Sequence, residues 1–107
     1  MISSGLAVLL SVAAFQASDT TRASREAFTA CLRQFVESSI QSNKAQAAFD
    51  SEYPTQCAAQ QTAYRDAMIR RDTASRMARA AAEEAANLAI EDARVNFSER
   101  FAMSQPR

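Results

Sequence analysis

Cys31 and Cys57 are the only cysteines in the chain, and there is no histidine to join them in a metal site or to shuttle protons. In a reducing compartment the two would be small buried hydrophobes. In an exported chain they are expected to oxidise to an intramolecular disulfide. No other group has the partners that chemistry needs. The serines and threonines have no base nearer in type than Lys44, the single lysine. Glu83-Glu84 and Glu91-Asp92 are paired carboxylates, but neighbours on a helix diverge by about 100° and do not converge on a metal or a substrate. Arg65, Arg70, Arg71, Arg76 and Arg79 are interleaved with acids. Asp66 precedes Arg70 and Asp72 precedes Arg76 by four residues, the favourable order for helix ion pairs. With a formal net charge of +0, this reads as a solvated mixed-charge face, not as a nucleic-acid patch. The expectation is a protein without enzymatic activity, cofactor, metal or nucleic-acid partner, and no small-molecule ligand is indicated. Met68 and Met77 read as packing.

The compartment is argued from the other end of the chain. Residues 1–17 read MISSGLAVLLSVAAFQA. Leu6 to Phe15 is a short apolar core, and Val12 and Ala14 are the small residues that a signal peptidase reads. Cleavage is expected after Ala14, with Ala17 as the alternative. The start carries no Lys or Arg. The apolar run is too short to span a membrane, which takes about 20 residues. The domain reading is a signal peptide over 1–17 and a single helical domain over 18–107, in a periplasmic or secreted protein. About 90 residues then remain, near the lower end of what supports its own core, so a covalent staple is physically reasonable.

Gly5 is the only glycine, and Pro54 and Pro106 are the only prolines. With so few turn formers and so much alanine the fold class is all-α. Ala27, Phe28, Cys31, Leu32, Phe35, Val36 and Ile40 recur at three-and-four spacing, one buried helical face. The first helix is expected over about 19–42. A short amphipathic piece over 45–50 is anchored by Phe49. Pro54 breaks the chain near Tyr53 and restarts a helix. The rise out to Asn43 and back brings Cys57 level with Cys31. The result is a disulfide-stapled helical hairpin with a short connecting helix and a long C-terminal helix. Its expected core is Phe28, Leu32, Phe35, Val36, Phe49, Tyr64 and Met68, with Tyr53 beside it.

From Pro54 to Ser104 there is no Gly, Pro or loop cluster. The segment reads as one helix of about 48 residues, roughly 70 Å long, with Asp72, Thr73 and Ser75 its one candidate break. A seven-residue line runs through Ala67, Ala74, Ala81, Leu88, Val95 and Ala102. A second line through Ala86, Ile90, Ala93, Phe97 and Phe101 lies nearly opposite. A helix that outruns its own hairpin with two apolar lines needs neighbours. Ala74, Ala81, Leu88, Ile90, Val95, Phe97 and Phe101 are therefore the expected interface, with a second copy or another envelope protein.

A signal-like start, a Cys-bearing helix, the FDSEYPTQC segment and an Ala/Arg-rich tail together resemble small exported helical proteins of unknown function in Gram-negative bacteria. The resemblance implies the compartment and no activity. The functional expectation is an exported structural or interaction protein that self-associates through its C-terminal helix, with an antiparallel Ala-rich pairing as the first form. The alternative is a membrane-associated protein, held by an uncleaved N-terminus or by its Phe97/Phe101 end.

Overall fold

The computed structural model describes residues 2–106, with side chains described from Asp19 onward. The stretch 1–17 read as a signal peptide therefore lies outside the residues whose side chains are described. The chain is all-α. Helix α1 spans Ile2–Gln41, α2 Gln46–Glu52, a single 3-10 turn Tyr53–Thr55, α3 Ala58–Ala74 and α4 Arg79–Ser104. The helices α1, α3 and α4 pack against one another, each touching the other two.

Helix α1 runs antiparallel to α3 in a fixed register. Cys31 and Cys57 are joined, with their Cα atoms 5.9 Å apart. Two to three turns away the Thr21 hydroxyl donates to the Ala67 carbonyl at 3.3 Å. Helix α4 turns back along both, so that its Phe101 ring stacks on Phe49 with centroids 4.0 Å apart. Phe49 also faces Tyr53 and Phe35, at 4.9 and 5.5 Å. The short α2 thus closes the bundle end with an aromatic cluster, which gathers large apolar areas at low side-chain entropy cost. Lys44 pins this end from outside. Its ammonium lies over the Phe35 ring and reaches Glu52 at 2.7 Å.

The core contains Phe28, Leu32, Val36, Phe49, Tyr64 and Met68, with Phe35 partly buried against it. Tyr53, Ile69, Ala82, Ala86, Ile90, Phe97 and Phe101 belong to the same cluster.

The 48-residue rod is corrected by the structure: the segment is two helices. The break lies at Ser75–Ala78 and begins at the last residue of the Asp72, Thr73 and Ser75 candidate. Arg76 adopts the left-handed conformation with φ 69°. Its N–H donates to the Thr73 carbonyl, and the Met77 N–H to the Asp72 carbonyl. That is the paired-bond helix stop usually built with glycine. The end of α1 is made the same way, with Asn43 at φ 55° and bonds from Asn43 to Ile40 and from Lys44 to Ser39. Helix α3 starts later than Pro54. The proline occupies the 3-10 turn, and Cys57, at φ 63°, is the residue from which α3 departs. All three left-handed positions are held by non-glycine residues, each at a cost of about 1–2 kcal/mol. Burial of the second apolar line on α4 is large enough to offset it. A buried Phe or Ile contributes about 1.5–3 kcal/mol, and Ile90, Phe97 and Phe101 are all covered once the chain reverses.

Candidate functional site

The fold divides the expected interface in two. Ile90, Phe97 and Phe101 are covered by the chain itself and belong to its core; this corrects their assignment to an intermolecular surface. The physical reason is the reversal at Ser75–Ala78, which supplies α1 and α3 as the neighbours that this line needs. Ala74, Ala81, Leu88 and Val95 stay exposed. Leu88 is 55% accessible and Val95 45%, against 7% for Ile90.

Helix α4 therefore has a covered face and an open face. The open one runs through Ala81, Ala85, Leu88, Val95 and Ala102, at spacings of four, three, seven and seven. Glu84, Glu91, Asp92 and Glu99 share it, all exposed. Among the described residues none of these four carboxylates has an ion-pair or hydrogen-bond partner. The helix's own cations point elsewhere. Arg79 pairs with Glu83 at 2.9 Å, Arg100 lies over the Phe97 ring at 4.8 Å, and Arg94 turns inward. The open face is thus an interrupted apolar stripe, with Asp92 and Glu99 set into it, Glu84 and Glu91 along one side, and no positive charge upon it.

Arg94 fixes how that face is presented. Its guanidinium donates to the Gln61 side chain, to the Tyr53 carbonyl at 3.2 Å and to the Gln56 carbonyl. It also lies 5.2 Å from the Tyr53 ring centre and 5.7 Å from that of Phe28. In return the Tyr53 hydroxyl donates to the Arg94 carbonyl at 2.6 Å. Helix α4 is thereby tied to the break between α2 and α3, where carbonyls are left over by the irregular backbone. Burial pushes the Tyr53 hydroxyl above its ordinary pKa, against a smaller downward pull from the Arg94 charge and hydrogen bond. Arg94 is missing from the sequence reading. The signal was there: it sits between Ile90 and Phe97 on the covered line, an arginine where an apolar residue is expected.

Around the disulfide no thiol remains, since the chain has no free cysteine. Among the described residues no group of three or more Cys, Asp or Glu side chains is placed to hold a metal ion. No helix there is long and apolar enough to cross a membrane. No protein-family model, curated protein or solved structure matches this chain.

Proposed function

We propose that this is an exported interaction protein without catalytic activity, whose disulfide-stapled helical frame presents the open face of α4 to a cationic amphipathic partner segment in the cell envelope. The observation that carries the reading is the uncovered stripe of Leu88 and Val95 among four unpaired carboxylates. Exposed apolar stripes rimmed by charge mark interaction surfaces, and complementary charge selects the partner. A second copy offering the same face is the poorer fit, because every symmetric pairing sets carboxylates against carboxylates. Export is supported by the signal-like start together with the oxidised cysteine pair.

The test places a photo-crosslinking residue at position 88 in the native envelope and repeats it with Val95→Glu. The reading requires a heterologous adduct with a basic segment, lost in the second variant and weakened by salt. A symmetric adduct of two copies would establish self-association instead, and no adduct at all would sink the reading. Leu88→Glu should leave the fold intact, while Ile90→Glu should unfold it, both read by circular dichroism. Intact mass of the exported chain reads the cleavage. A chain retaining residues 1–17 in the membrane fraction would favour the anchored alternative.

A further inference from the structure

A separate feature lies between α1 and α3, away from the open face of α4. Thr21, Arg22, Arg25, Tyr64 and Arg71 line a cleft of about 300 Å³. Thr21 forms part of its wall, its hydroxyl donating to Ala67. Three guanidiniums surround it. Arg22 spends one nitrogen on Asp19 and Arg71 one on Asp72, at 2.5 and 3.0 Å. A guanidinium has five N–H donors, so both keep several. Among the described residues Arg25 has no ion pair and no hydrogen bond. Tyr64 is the second observation. It is 8% exposed and its ring packs against Phe28 at 5.9 Å. Yet it lines the cleft, and among the described residues its hydroxyl has no hydrogen-bond partner. The hydroxyl is not among the fully buried unpartnered atoms, of which Ser39 Oγ is the one among the described residues, so it is a donor open to a ligand in the cleft.

We propose that this cleft binds a phosphate group, free or carried by a small molecule. Arg22, Arg25 and Arg71 against Asp19 and Asp72 leave a net charge of one positive on the rim. A phosphate monoester carries about −1.5 to −2 at neutral pH and three strong acceptor oxygens. Guanidiniums match those oxygens in geometry. A carboxylate would use fewer of the donors on offer. The C-terminal end of α3 is near and contributes roughly half a negative charge, which the three arginines outweigh. The volume lies at the lower end of ligand pockets, which fits a small phosphorylated compound. Arg25 and the Tyr64 hydroxyl are its assigned contacts, because they are the donors the fold leaves unused. This goes beyond the partner proposed for α4, since no α4 residue lines the cleft.

The experiment is an amide-resolved NMR titration of the oxidised full chain. The probes are inorganic phosphate and glycerol 3-phosphate, with sodium chloride at matched ionic strength as control. Saturable shifts are expected over 21–25 and near 64 and 71, with none centred on 84–99. Arg25→Gln should lose about tenfold or more in affinity, and Tyr64→Phe should lose less, both with unchanged circular dichroism. Saturation by inorganic phosphate identifies a free-ion site. Saturation by glycerol 3-phosphate alone identifies an organic phosphate. Equal shifts in chloride, or wild-type affinity in Arg25→Gln, would overturn the assignment.

Discussion

Arg94 shows how one residue can hold two elements. Its charge is satisfied by carbonyls, an amide and aromatic faces, with no carboxylate in ion-pair range among the described residues. Planarity is what makes this possible, because several N–H groups must point in fixed directions at once. Arg94→Lys is therefore expected to destabilise the fold by about 1–3 kcal/mol in urea unfolding despite keeping the charge. A neutral result would mean that the charge alone suffices. Tyr53 gives the pH dependence. Its folded pKa is raised above the ordinary value, chiefly by burial, so the folded state holds the proton more tightly than the unfolded state. Its contribution is fully present below about pH 10, the unfolded value, and is lost as pH rises through the folded pKa. Stability should fall with a steeper alkaline slope in the wild type than in Tyr53→Phe, measured by urea midpoints from pH 8 to 11. Parallel slopes would assign the alkaline loss to other groups.

The reversal between α3 and α4 is built from residues that announce nothing. Arg76 stands where glycine is the usual choice, and Ala78 precedes α4 where Ser, Thr, Asp or Asn would cap it. Ala45 before α2 and Cys57 before α3 likewise supply no side-chain cap. This is why the break could be placed near Ser75 but not required from the sequence: propensity across 54–104 is uniformly helical, and tertiary burial decides against it. Arg76→Gly should stabilise the protein by about 0.5–1 kcal/mol by removing the left-handed penalty, and Ala78→Asp by about 1 kcal/mol by capping α4. Higher urea midpoints in both variants check this. A loss of stability in Arg76→Gly would show that the arginine side chain is needed at the turn.

At the scale of the whole molecule the disulfide and the aromatic end are the two fastenings of the hairpin. Cys31 and Cys57 span 26 residues, and closing such a loop contributes about 3.5 kcal/mol in the chain-entropy description. For a domain of this size that is a large share of a stability of about 5–15 kcal/mol. Reduced protein, or Cys31→Ala/Cys57→Ala, should lose about 2–5 kcal/mol in urea unfolding with little change of helix content at neutral pH. Unchanged stability would mean that the Phe49–Phe101 end and the Arg94 ties hold the hairpin alone.

The sequence by itself determined the helical class, the hairpin over Cys31 to Cys57 and the core positions Phe28, Leu32, Val36 and Phe49. These follow from periodicity and from one proline, which act over a few residues and have no competitor. Only the tertiary structure decided which apolar line of α4 is inside. Periodicity shows that a helix has two lines and cannot say which meets its own chain, since that depends on a reversal that the weak signal at Asp72, Thr73 and Ser75 permits but does not require. Burial of Ile90, Phe97 and Phe101 against α1 and α3 selects the reversal. By the same step it leaves Leu88 and Val95 outside among acids, and it leaves Arg94 free to reach Gln61, Tyr53 and Gln56.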